Sequence, residues 1–188
     1  MFYRFAKVLL GIIIRLIIRF RVEGVENEPT EGRLIVAANH HSAWDPIFVG
    51  LALRRQLRFM AKVELFKYPV FKTILYWLGA FPVNRGTGDS RAIRSALAIL
   101  KNNEVLAMFP EGTRVKAGEA REAQSGIALL AAKTGAPVLP VRVLREHRKV
   151  VVRIGKPVKF TLPPGVTKAS KDGLYAFSQD IMARIRDL

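Results

Sequence analysis

The sequence predicts an α/β fold: a single domain built on a mostly parallel or mixed sheet flanked by helices, with an amphipathic helix at the N-terminus. Three observations predict it. Short apolar runs of strand length alternate with segments of helical periodicity from Arg33 onward, and Pro, Gly and Asp punctuate the boundaries between them. The chain has 188 residues, 50% of them apolar, enough for one buried core and short for two ordinary domains. The first 22 residues carry a different pattern, so the expected division is a membrane-interface helix over 1–22 and the α/β domain over 23–188.

In the N-terminal segment Val8 to Ile14 is continuously apolar, yet Arg15 and Arg19 interrupt the run short of the roughly 20 residues that span a bilayer. No cleavage pattern of small residues follows it. At ~100° per residue, Arg4, Lys7, Arg15 and Arg19 share one narrow face with Gly11, while Phe2, Phe5, Leu9, Ile12, Ile13, Leu16 and Phe20 fill the rest. This suits a helix lying in a membrane interface with its basic face toward anionic headgroups. The same pattern also suits a helix docked on the protein's own core.

Arg33 to Ala38 reads as a short buried strand. Pro46 sits at a favoured first helical position with Asp45 available as N-cap, which predicts a helix from Pro46 to about Arg54. The alternation continues with strand Leu57 to Ala61, helix Pro69 to Leu78, strand Ala80 to Val83 and helix Ser90 to Leu100. Strand Val105 to Phe109 and helix Gln124 to Lys133, closed by Gly135, come next. Strands Pro137 to Val143 and Lys149 to Ile154 follow, and after a Pro-Pro-Gly break Lys168 to Leu188 reads as a terminal amphipathic helix. The apolar run from Phe66 to Trp77 suits either an acyl groove or contact with a bilayer, or the ordinary core face of a helix.

Charge and composition narrow the function classes. A formal charge of +16 attracts polyanions, whether nucleic acid, an anionic bilayer or an acidic carrier protein. The cations are spread along the chain with no aromatic stacking platform and no nucleic-acid motif, so no nucleic-acid partner is expected. There is no cysteine and there are three histidines, which excludes disulfides and a cysteine nucleophile and leaves no expected metal site.

Three polar clusters follow strand ends, where open α/β sheets place their ligands. The first is Asn39-His40-His41-Ser42-Ala43-Trp44-Asp45. Its spacing can bring the Asp45 carboxylate to the His40 Nδ1, leaving Nε2 to accept a proton from a substrate hydroxyl; Asp45 could equally be a plain N-cap. A Ser42-centred triad is disfavoured because no Gly-x-Ser-x-Gly elbow exists. The second is Phe81-Pro82-Val83-Asn84-Arg85-Gly86, where Arg85 could hold a phosphate bidentately. Gly86-Thr87-Gly88 is no dinucleotide fingerprint, since Arg91 occupies the third glycine position. The third is Phe109-Pro110-Glu111-Gly112-Thr113-Arg114, offering backbone N–H groups, the Thr113 hydroxyl and the Arg114 guanidinium to an anion. Glu111 either orients an arginine or accepts from a substrate hydroxyl, or is a salt-bridged strand-end carboxylate.

Taken in order, and followed by Ala136-Pro137-Val138-Leu139-Pro140-Val141, these clusters resemble the four motif blocks of the 1-acylglycerol-3-phosphate acyltransferases, over roughly Arg33 to Val143. The resemblance implies that His40 is a general base oriented by Asp45. It implies that Arg85, Glu111, Gly112, Thr113 and Arg114 bind the acceptor's phosphate and glycerol, and that Pro137 to Val141 lies near the acyl donor. The implied reaction moves a fatty acyl group from an acyl carrier protein or CoA thioester to the sn-2 hydroxyl of lysophosphatidic acid, giving phosphatidic acid. It has no covalent acyl-enzyme and no cofactor beyond the thioester co-substrate. The implied setting is the anionic cytoplasmic face of the cell membrane, with the protein peripheral or monotopic. Two features depart from the family pattern: Asn84 stands before Arg85 where many members carry an acidic residue, and the chain is short. Another lysolipid or glycerol phosphate is the alternative acceptor, a lipid hydrolase is the nearest rival activity, and a basic membrane- or nucleic-acid-binding protein a more distant one.

Overall fold

The computed structural model describes residues 2–83, 90–115 and 122–188. The chain runs α1 (Phe2–Ile17), β1 (Arg19–Glu23), β2 (Leu34–Ala38), α2 (Asp45–Ala52), β3 (Leu57–Lys62), α3 (Pro69–Trp77), β4 (Phe81–Val83) and α4 (Ser90–Lys101). It continues through β5 (Val105–Met108), α5 (Gly126–Thr134), β6 (Val138–Glu146), β7 (Lys149–Ile154) and α6 (Lys171–Asp187). The strands form one seven-stranded sheet in the order β1-β7-β6-β2-β5-β3-β4. Every neighbouring pair is parallel except the β6–β7 hairpin. Strands β2 to β6 therefore share one direction, and β1 and β7 run against them.

The central strand β2 is buried along its whole length, as a strand covered on both faces must be. Its alternate side chains feed two cores. Leu34, Val36 and Ala38 pack with Phe48, Val49, Val141 and Val152 on the face covered by α1 and α2. Ile35 and Ala37 pack with Leu100, Ile127, Leu130, Ile181 and Ile185 beneath α4, α5 and α6. The two-sided burial leaves the C-terminal end of β2, between β5 and β6, as a fixed platform from which the chain exits into the His40 loop.

The structure departs from the sequence expectations at three places near the N-terminus. The first helix stops at Ile17, and Arg19–Glu23, whose residues up to Val22 were expected to continue it, pairs in parallel with Lys149–Arg153. Phe20 and Val22 alternate with charged residues, and that period suits an edge strand once β7 supplies the partner. Second, the shared face of Lys7 and Gly11 points at the protein rather than outward. Gly11 is buried beside Leu51, Lys7 donates to the Leu53 carbonyl, and desolvation lowers the Lys7 pKa. What the helix exposes is its apolar side, including Phe5, Val8, Leu9, Ile12, Ile13, Leu16 and Ile17, with the exposed Arg4 and Arg15 at its margins. Third, Asp45 is the first residue of α2 and not its N-cap, a position held by Trp44 without a side-chain bond. The Asp45 carboxylate turns back onto the loop before it.

Candidate active site

Asn39 begins the site by extending β2 with its side chain. Its amide donates to the Val143 carbonyl at 3.0 Å and accepts the Val143 N–H at 2.7 Å, so β6 is clamped beside the loop where backbone pairing ends. His40 follows, buried, with three fixed relationships. Its backbone N–H donates to Glu111 Oε2 at 2.7 Å. Its carbonyl accepts from Val115 N–H at 2.8 Å. Its imidazole stacks on the Phe109 ring with centroids 4.1 Å apart and planes 19° from parallel.

The imidazole Nδ1 lies 3.3 Å from Asp45 Oδ2, and both side chains are almost wholly buried. That same oxygen accepts the His41 and Ser42 backbone N–H groups at 2.7 and 2.6 Å. An oxygen accepting two backbone donors acts as an acceptor toward the ring as well, so Nδ1 carries the proton and Nε2 presents its lone pair. The 3.3 Å separation is long for a strong bond. Ser42 takes no part in a triad: its Oγ accepts from Trp44 N–H at 3.3 Å. His41 places Nδ1 2.9 Å from the Val115 carbonyl, which fixes Nδ1 as a donor.

The loop after β5 holds the opposite wall. Gly112 turns with φ +72, a conformation that strains any other residue, and a Cβ there would meet Gln124 Nε2 at 2.4 Å and push that side chain aside. Glu111 is buried against the His40 loop, and its pKa is raised chiefly by that desolvation. The bond from the His40 N–H and electrostatic interaction with the His41 and His40 side chains oppose the rise, and the Asp45 carboxylate adds to it. The partner of Glu111 among the described residues is the backbone N–H of His40. Thr113 is half-buried and Arg114 exposed beside it. Arg85 lies outside the described residues. The strand before it, β4, ends at Val83 three places from β2 in the sheet, about 14 Å away at ~4.8 Å per strand. The block from Pro137 to Val141 falls largely on β6, where Val138, Leu139 and Val141 are buried in the two cores and the strand pairs with β2. Among the described residues no group of three or more His, Cys, Asp or Glu is placed to hold a metal ion.

A buried His–Asp pair at a strand end, braced by a Glu-Gly-Thr-Arg turn, sits within the region, residues 19–144, that matches the family model described as Acyltransferase. The chain belongs to the acyltransferase family. Its relatives include the 1-acyl-sn-glycerol-3-phosphate acyltransferase of Bacillus subtilis, 29% identical over 99% of this chain and 96% of that protein. The enzyme of the same description from Borreliella burgdorferi is 33% identical over 73% of this chain, and the match spans just 56% of its own length. Among solved structures, the 1-acyl-sn-glycerophosphate (LPA) acyltransferase of Thermotoga maritima superposes with a TM-score of 0.71 at 28% identity. That match covers 98% of this chain and 81% of the other. The acyltransferase fold is thus shared with it in sheet and helices, and the His40 loop lies inside the family region.

Sequence reasoning found the His40–Asp45 pair but gave no role to Asn39, Phe109 or Val115. Asn39 and Phe109 adjoin or belong to the acyltransferase motif blocks, which was the available signal. Their partners, Val143 and the His40 ring, lie far away in sequence.

Proposed function

We propose that this acyltransferase moves a fatty acyl group from an acyl carrier protein or CoA thioester to the sn-2 hydroxyl of 1-acyl-glycerol-3-phosphate, yielding phosphatidic acid. The observation that carries the reading is the buried imidazole whose Nδ1 faces Asp45, an arrangement that makes Nε2 the basic nitrogen. His40 Nε2 removes the proton of the acceptor hydroxyl as the oxygen attacks the thioester carbonyl. The tetrahedral oxyanion collapses, the carbon–sulfur bond breaks, and the imidazolium returns its proton to the thiolate. Between these steps the positive ring lies against the Asp45 carboxylate and the face of Phe109, both of which favour its charge. No serine or cysteine is acylated, so a ternary encounter of hydroxyl and thioester at one base is the requirement. Arg114, the Thr113 hydroxyl and the turn at Gly112 are assigned to the acceptor's phosphate and glycerol, together with Arg85. Glu111 is assigned to the placement of His40.

The names of the relatives supply the acceptor, and the surface of this chain supports a membrane setting. No helix among the described residues is long and apolar enough to cross a membrane. Helix α1 nevertheless exposes a continuous apolar side, with Leu16 82% accessible, and the segment through α3 exposes Tyr68, Val70, Ile74, Tyr76 and Trp77. Apolar area of this extent on a chain of charge +16 fits a helix lying in the interface of an anionic leaflet, as at the cytoplasmic face. The test is product analysis. Purified protein is supplied with palmitoyl thioesters of CoA and of carrier protein, and with lysophosphatidic acid, glycerol 3-phosphate or lysophosphatidylcholine in mixed micelles. Phosphatidic acid from lysophosphatidic acid alone supports the reading. Preferred acylation of another acceptor, or free fatty acid as main product, overturns it.

A further inference from the structure

Beyond the catalytic loop, a second feature carries chemistry of its own. A cleft of about 460 Å³ opens where the end of α1 meets the β6–β7 turn, lined by Arg15, Leu16, Arg19, Glu146, Arg148 and Lys149 among others. Four cations thus surround it against one carboxylate. Arg19, Arg148 and Lys149 make no ion pair among the described residues. Arg15 is held over the Phe20 ring at 5.7 Å. The site is built by backbone: the Arg19 N–H donates to the Arg148 carbonyl at 2.7 Å, Arg19 stands in register with Lys149, and the turn passes through His147 at φ 46. Like charges held together by a ladder repel one another and favour an anionic occupant.

The walls say which anion. Leu16 and Ile17, strongly exposed, form the cleft's edge and belong to the bare apolar side of α1. An apolar rim beside a cationic cleft matches a phosphodiester or phosphomonoester headgroup with its acyl chains alongside. A soluble phosphate would leave that rim in water. The cleft is also distinct from the His40 site. Strand β6 faces Ala38 at Val141 and then runs on to Glu146, five residues or about 17 Å further at ~3.3 Å each. Both lie at the same end of the sheet, because β1 and β7 start where β6 finishes.

We infer that the cleft between α1 and the β6–β7 turn binds the phosphate of an anionic phospholipid in the bilayer, as a docking site separate from the acyl acceptor's. This rests on the membrane setting proposed above. The lipid headgroup neutralises the cations, and α1 lays its apolar side into the same leaflet.

The experiment measures binding of the full chain to vesicles of phosphatidylcholine with and without phosphatidylglycerol. The variants are Arg148→Ala/Lys149→Ala and, as a control of equal charge loss, Arg94→Ala/Lys101→Ala on the exposed side of α4. The cleft variant is expected to bind phosphatidylglycerol vesicles about 25-fold more weakly, at ~fivefold per cation removed from an anionic surface. Its binding to pure phosphatidylcholine stays the same, and the control stays within about threefold of wild type on both. Equal weakening by both variants would make the effect one of net charge and overturn the site, as would wild-type binding by the cleft variant. If inorganic phosphate raises the wild-type Tm but not that of the cleft variant, while the two bind vesicles equally, the anion is soluble and the headgroup assignment fails. Wild type that binds neither vesicle overturns the membrane setting and this site with it. Turnover of lysophosphatidic acid in neutral micelles, measured on wild type, reads the catalytic proposal independently.

Discussion

Replacing Asp45 by Asn separates the charge of this residue from its shape. The Asn carbonyl oxygen can still accept the His41 and Ser42 N–H groups that Asp45 Oδ2 accepts at 2.7 and 2.6 Å, so the loop keeps its turn. Folding should lose about 1 kcal/mol as charge-assisted bonds become neutral ones. Catalysis loses more. A full negative charge 3.3 Å from Nδ1 stabilises a developing imidazolium by about 5 kcal/mol at an effective dielectric of ~20, an upper figure because the neutral ring also interacts with it. At 1.36 kcal/mol per decade this predicts a fall in kcat of roughly 10³-fold. Asp45→Ala removes the acceptor as well, leaves two N–H groups without their partner, and should cost a further ~2 kcal/mol of stability. The assay is acceptor-dependent thiol release beside thermal unfolding of each variant. An Asp45→Asn enzyme within tenfold of wild-type kcat, with unfolding as predicted, would show that Asp45 serves only the turn, and the electrostatic argument would be wrong.

Glu111→Gln keeps an oxygen to accept the His40 N–H and should retain most activity, whereas Glu111→Ala should lose about tenfold or more in kcat with little change in KM for the acceptor; a KM effect alone would return Glu111 to the substrate. Its pKa is raised above the ordinary 4.5 by burial, so from about that pH upward the folded state holds a proton the unfolded state releases. Wild-type stability therefore declines as pH rises through this window, and Glu111→Gln should flatten that part of the profile measured by denaturant titration. Phe109→Leu removes the ring stacked on His40 and should lower kcat about 2- to 30-fold, from ~0.5–2 kcal/mol of imidazolium–ring attraction, with Phe109→Tyr close to wild type. Gly112→Ala must place a Cβ at φ +72 and displace Gln124; it should destabilise by ~1–2 kcal/mol in chemical denaturation.

What the sequence made legible was local. The alternation of apolar runs with Pro- and Gly-marked helices gave β2 through β7 and their order along the chain, because each strand has an apolar run of its own, continuous in the fully buried β2. The His40 to Asp45 spacing was readable because one turn joins them. Strand β1 was missed since its partner, β7, is 130 residues away at Arg19 and Lys149, and Arg19 and Phe20 also continue a helical pattern. The helical wheel of α1 divided polar from apolar correctly but could not say which side met the protein; the burial of Gly11 and the Leu53 carbonyl's need for a donor decided that. Glu111 was readable as a residue and not as a role, because its partner is a backbone N–H 71 positions earlier. Asn39 resembles any polar turn residue until Val143 is placed beside it.

The central claim is that His40 is the base of a direct transfer from thioester to hydroxyl. The measurement that tests it most directly is thiol release from a palmitoyl thioester by wild type and His40→Ala, with and without lysophosphatidic acid. The account predicts acceptor-dependent release by wild type and a loss of ~10²–10⁴-fold in His40→Ala, with its unfolding transition retained. Release without acceptor, or a His40→Ala enzyme that still transfers at the wild-type rate, would contradict it.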